Sequence, residues 1–196
     1  MAAGVVGPAA FVVAWLVAGA LTEGYSATDE AISRLAATGA PRRALMTAGF
    51  VCFGVAMVFY AGSLRRRFGD WVGIAAATSG GATLGVALFP LDTSTALDGA
   101  HNVLAALGYV ALAATPVLAA RPLAAGGRRR AAVASTVTGL LAGACLLATV
   151  AGPAHGLFQR AGLTIVDAWL MATAVWTART RDVPAQPIRA SGRTGR

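Results

Sequence analysis

Six apolar stretches, each about as long as a bilayer span, occupy most of this 196-residue chain. Residues 4–22, 44–64, 71–90, 101–120, 132–151 and 162–178 all approach the ~20 residues that cross ~30 Å of hydrocarbon as helix. Short connections between them hold nearly all the charge. The pattern predicts an all-α, six-transmembrane-helix bundle, a multi-pass membrane protein with little chain left for a soluble domain. Composition agrees: 57% of residues are apolar and 12% charged, about half the charge an ordinary soluble surface carries.

Charge placement predicts the orientation. The chain has sixteen arginines and no lysine, and twelve of the arginines follow the second, fourth and sixth spans. The positive-inside rule puts that side, and with it both termini, in the cytoplasm of a cell-membrane protein. Such a basic rim faces anionic lipid head groups rather than nucleic acid. Residues 1–178 read as one transmembrane domain and 179–196 as a disordered, basic cytoplasmic tail. Ala18-Gly19-Ala20 resembles a signal-peptidase site, but no basic residue precedes the stretch, and an uncleaved first helix is the preferred reading. Cys52 and Cys145 fall inside spans, where a small apolar packing role is the default. Gly81 with Gly85, and Gly139 with Gly143, have the small-xxx-small spacing that lets helices approach closely.

The outer connections carry the chemistry. Ser26 and Asp29 form a capping signal, Ile32, Leu35 and Ala36 share a helical face, and Gly39 and Pro41 stop it. Residues 28–38 therefore read as a short outer helix between the first two spans, either an interfacial anchor or a lid. Around it gather Ser33 and Arg34, then Asp92 after the break at Pro90, and His101 at the expected start of the fourth helix, capped by Asp98. His155, Gln159 and Arg160 lead into the sixth span. A cation at a helix N-terminus opposes the macrodipole, so Arg160 calls for an anion. Asp92 is the first choice, with Asp167 the other candidate. An unpaired charge as deep as Asp167 costs ~3 kcal/mol or more, so Asp167 must face the bundle interior or else titrate neutral.

Three readings of this cluster stay open. It could be an ion-pair network stapling loops to helix starts. It could be an outward-facing polar pocket for a lipid-like or other amphiphilic ligand, or a partner protein, using Ser33, Arg34, Asp92, His101, Gln159 and Arg160. It could be the site of a membrane-embedded, metal-assisted hydrolase at the outer leaflet. There His101 would be general base or metal ligand, with Asp92 orienting it or joining it and His155 around a metal. No HxxH-type spacing supports a metal, no G-x-S-x-G-like turn surrounds Ser33, and no cofactor is implied.

At these residues the chain resembles a known family. Gly7-Pro8, Tyr25-Ser26, Ile32-Ser33-Arg34-Leu35, Phe89-Pro90-Leu91-Asp92, His101 and Gly156-Leu157-Phe158-Gln159-Arg160 with Trp169 are similar to the bacterial and archaeal integral membrane family catalogued as domain of unknown function 998. The likeness spans residues 4–178. It implies a six-helix bundle with no agreed activity, and makes Asp92, His101, Gln159 and Arg160 the positions to watch. Asp167 stands where such sequences tend to be aromatic or apolar, so the resemblance gives it no shared role. The Ser, Asp and His set also resembles membrane amide hydrolases of the ceramidase type, whose paired C-terminal histidines this chain lacks.

Overall fold

The computed structural model describes residues 1–181. It contains six long α-helices: α1 (Ala3–Ala20), α2 (Arg43–Phe68), α3 (Asp70–Leu88), α4 (Thr95–Ala125), α5 (Arg129–Ala151) and α6 (His155–Arg181). All six are long and apolar enough to cross a membrane. A short 3-10 helix, Ile32–Ala36, lies between α1 and α2. The expected disordered tail falls almost wholly outside the described residues; its first three positions continue α6 as helix.

Successive helices run up and down and pack as neighbours, and α6 returns to pack on α1, closing a ring. The outside of the ring is apolar: Phe59, Leu88, Val110 and Leu147 are all exposed. Water would penalise such a surface, whereas lipid tails solvate it, so only a bilayer suits it. This is a multi-pass membrane protein. Helix contacts inside it rest on small residues. On α2 and α3, Gly54 and Gly80 face each other so closely that a β-carbon on either would sit 2.8 Å from the other's carbonyl oxygen. Of the four glycines expected at interfaces, Gly85 abuts Leu104 and Gly139 the Ala113 carbonyl, while Gly81 and Gly143 meet nothing.

Several boundaries differ from expectation. Helix α4 starts at Thr95, capped by Ser94, whose hydroxyl accepts from the Leu97 amide at 3.4 Å. Asp98 is therefore in the first turn rather than the cap, and His101 lies in the second. The connection between the fourth and fifth predicted spans, 121–131, shrinks to Gly126–Arg128, because α4 runs through Pro116 and Pro122 to Ala125 and α5 starts at Arg129. Thr115, just before Pro116, turns its hydroxyl back onto its own helix and donates to the Ala111 carbonyl at 2.8 Å. Helix α6 begins at His155, seven residues before the predicted span, and so places Gln159 and Arg160 within helix.

The outer helix expected over 28–38 is shorter. Ser26 does cap, accepting from the Asp29 amide at 3.2 Å, while its own amide bonds Glu30 Oε2 at 2.8 Å. These bonds close a turn, and the chain then extends at Ala31 before the single 3-10 segment. Its apolar face is as predicted: Ile32, Leu35 and Ala36 are buried. They pack down into the bundle mouth among α1, α2 and α6, so the segment is a plug.

Candidate functional site

The loop from Tyr25 to Ala31 wraps the first turn of α6, and Arg160 is the centre of that junction. Its side chain is almost fully buried, yet its partner is not Asp92. One terminal nitrogen donates to the carbonyls of Ala27, Glu30 and Gly156 at 2.7, 2.9 and 2.9 Å. The other donates to the Tyr25 hydroxyl, which itself donates to the Ala31 carbonyl at 3.1 Å. The guanidinium carbon lies 5.4 Å from the ring centres of both Trp15 and Tyr25. Carbonyl dipoles and π-faces thus replace the carboxylate that a cation at a helix start was expected to need. Burial raises the Tyr25 phenol above its ordinary range, with Arg160 opposing that shift.

The close docking explains the glycine of this motif. A β-carbon on Gly156 would come within 2.4 Å of the Glu30 carbonyl oxygen and 2.8 Å of Ala27's. The next amide, Leu157, donates to the Thr28 carbonyl at 2.9 Å. Gln159 completes the junction: its Oε1 accepts from the Ile32 amide at 2.7 Å, and its Nε2 donates to the Tyr109 hydroxyl.

Asp92 is bound elsewhere. It sits at φ 61°, a conformation Asp tolerates better than most, and accepts from Arg34 at 2.9 Å in a pair whose side chains are 45% and 46% exposed. The preceding residues act through their backbones. The Phe89 carbonyl accepts from His101 Nδ1 at 2.7 Å, Pro90's from the Thr93 hydroxyl at 3.1 Å, and Leu91's from the Thr38 amide at 2.8 Å. The orienting role expected of Asp92 toward His101 therefore belongs to the Phe89 carbonyl. Because a carbonyl only accepts, Nδ1 carries the proton in this bond, which leaves Nε2 as the acceptor in the neutral ring. His155 is exposed, and among the described residues no three His, Cys, Asp or Glu side chains gather as a metal site would need.

The polar residues expected to form one cluster are thus divided by the plug. Above it, Arg34 and Asp92 line a surface hollow of about 240 Å³ with Tyr25 and Glu30. Below it, inside the ring, is a largely enclosed cavity of about 50 Å³ roofed by Ile32 and Ser33. Its polar lining is Ser33, Ser79, Thr83, His101, Tyr109, Gln159 and Asp167, and its apolar wall includes Phe11, Phe50 and Phe53. That volume holds a few waters and is well short of the ~300 Å³ typical of a ligand pocket.

Asp167 is the exception in this lining. It is 1% exposed, and neither carboxyl oxygen has a hydrogen-bond partner among the described residues. It does not pair with Arg160, which sits seven residues earlier, about 10 Å back along the helix axis. Of the residues singled out in the sequence, the cavity gathers Ser33, His101, Gln159 and Asp167. Tyr109, Ser79 and Thr83 were missed, as were Trp15 and Tyr25 as partners of Arg160. Tyr109 had a signal: His101, Ala105, Gly108 and Leu112 mark one helical face, and Tyr109 stands beside it.

The family model described as a protein of unknown function (DUF998) matches residues 5–176. The chain belongs to that family, and the motif residues described above fall within the matched region. No curated protein and no solved structure matches it.

Proposed function

We propose that this member of the DUF998 family is a binding protein of the cell membrane. Its ligand is a small amphiphile, taken into the central cavity when the 3-10 plug moves aside and so enlarges a space that otherwise holds only a few waters. The cationic or hydrogen-bond-donating head lies against Asp167, and the apolar body against Phe11, Phe50 and Phe53. The observation that carries this reading is Asp167. An ionisable side chain in a membrane span is costly, and where it persists it faces a partner or a pathway. Here the carboxyl is enclosed without a protein partner and opens onto the cavity. A head bearing positive charge or two donors is the chemistry that would satisfy both oxygens. Besides the burial of Ile32, Leu35 and Ala36, the plug is held by a hydrogen bond from the Ile32 amide to Gln159, the Thr38 amide on the Leu91 carbonyl, the exposed Arg34–Asp92 pair and a Thr38–Thr93 hydroxyl contact at 2.7 Å, so its polar attachments are few.

The test uses two probes of equal chain length and opposite charge, octylammonium and octyl sulfate, added below micelle formation to purified protein. Octylammonium should raise the melting temperature of the wild type and octyl sulfate should not. Asp167→Asn, which keeps the shape, should cancel the response. An equal response in Asp167→Asn and wild type would overturn the proposal.

A second reading rests on His101. Its imidazole and the Ser33 hydroxyl line one cavity, so a base and a hydroxyl nucleophile are present together, and base-assisted attack by serine on an acyl or amide bond would need them brought into hydrogen-bond reach. In that reading the protein is a hydrolase of the outer leaflet, and His101→Gln would abolish turnover without loss of fold.

A further inference from the structure

The opposite end of the bundle carries a second candidate site, built from arginine and tryptophan. A groove of about 660 Å³ runs between the ends of α4, α5 and α6, with Phe68, Ala131, Ala134, Ala172 and Trp176 among its lining. Next to it is a polar hollow of about 300 Å³ lined by Ser63, Arg66, Arg67, Arg128, Thr177 and Thr180. Arg128 borders both. Trp176 stands at the junction, stacked on Phe68 with ring centres 6.3 Å apart. The guanidinium carbons of Arg67 and Arg128 lie 4.6 and 5.0 Å from the centre of its indole ring.

Two cations drawn to one ring repel each other, and among the described residues no carboxylate pairs with either: the carboxylate–arginine pairs there are Arg34–Asp92 and Arg65–Asp70. Arg129 and Arg130 add charge at the start of α5, where no side chain caps the helix and the macrodipole already favours an anion. The polar hollow offers guanidiniums and hydroxyls, which suit a phosphate. The groove is walled by alanines and aromatic rings, which suit an acyl chain.

We infer that this groove and hollow together bind one anionic glycerophospholipid, its phosphate between Arg67 and Arg128 beside Trp176 and an acyl chain along the alanine face of α5 and α6. Charge complementarity selects the anionic head, and the continuity of a polar hollow with an apolar groove selects a lipid over a soluble phosphate. The site is separate from the central cavity and does not depend on its occupant.

Native mass spectrometry of the full chain, released from detergent after titration with phosphatidylglycerol or phosphatidylcholine of the same acyl composition, tests it. Wild type should prefer phosphatidylglycerol by about tenfold or more, as two arginines at a membrane surface imply. Arg67→Gln with Arg128→Gln should remove that preference. Arg121→Gln with Arg179→Gln, equal in charge and outside the groove lining, should keep it. Ala134→Trp should fill the groove and weaken binding while leaving every arginine in place, so the proposal stays testable if the arginine variant misfolds. Equal loss in both arginine pairs would mean diffuse surface charge and overturn the site. So would unchanged binding in Ala134→Trp, or displacement of the lipid by millimolar glycerol 3-phosphate.

Discussion

Replacing Arg160 with methionine removes the charge while keeping a long, flexible side chain in the buried junction, and the structure gives the size of the result. The change strips the donor from the Ala27 and Glu30 carbonyls, which the guanidinium holds at 2.7 and 2.9 Å. A buried acceptor left without a partner costs about 1–3 kcal/mol. Ala27 is exposed and the Tyr25 hydroxyl still reaches the Glu30 carbonyl at 3.3 Å, so the equivalent of one such acceptor is lost. With the contacts to Trp15 and Tyr25 at about 0.5–2 kcal/mol, the gross loss is about 2–5 kcal/mol. Methionine also avoids the desolvation of a cation, which offsets part of that loss. A net destabilisation of about 2–3 kcal/mol follows, or on the order of 5–10 °C in a detergent melting curve for a chain of this size. Arg160→Lys should fall between, since an ammonium can donate to carbonyls but cannot reproduce the planar fork. Gly156→Ala should resemble Arg160→Met, because its β-carbon would push the same two carbonyls away. Were Arg160→Met to melt within about 1 kcal/mol of wild type, the carbonyl nest would not be what fixes the loop on α6.

Other outcomes separate the parts of the molecule. Asp92→Asn, which breaks only a half-exposed pair, should cost no more than about 1 kcal/mol; a loss like that of Arg160→Met would show that the pair does more than close the surface hollow. His101→Gln retains a donor for the Phe89 carbonyl and should leave fold and octylammonium response within about 1 kcal/mol of wild type, whereas a stable but inactive variant in cellular complementation would favour the hydrolase. Thr38→Cys with Thr93→Cys, at positions whose hydroxyls lie 2.7 Å apart, should form a disulfide that fastens the plug. Oxidation should block the octylammonium response and reduction restore it, and an unchanged response would show that the ligand does not pass the plug. In a background free of Cys52 and Cys145, cysteine at Ala96 should label from outside intact cells and cysteine at Gly127 should not; the reverse would invert the orientation set by the arginines.

The six helices were legible because membrane insertion is read from local composition: twenty apolar residues suffice, whatever they touch. Helix ends were less legible, because polar residues at a span's end can belong to the helix or to the loop. His155 through Gly162 is helix because the loop from Tyr25 to Ala31 docks on that turn, a contact more than 120 residues away in sequence. Likewise the capping signal at Ser26 was real, but the expected helix stopped at one turn. The carbonyls of Ala27 and Glu30 bond Arg160 instead of amides four residues on.

The site was legible in its members and illegible in its pairings. Arg160 was marked as a cation in need of compensation, and that physical demand was correct. A sequence displays carboxylates as candidate partners, whereas every residue has a carbonyl, so a nest of carbonyls leaves no signature except the glycine that admits it. The same blindness applies to Phe89-Pro90-Leu91-Asp92, whose contacts run mainly through three successive carbonyls rather than the aspartate. Asp167 shows the converse. The family resemblance weakened its claim, while its depth in the span, read from the residues alone, demanded an inward-facing role. Its position on the cavity follows that physical demand. A costly ionisable group that lines a cavity is therefore the residue most informative about what that cavity holds.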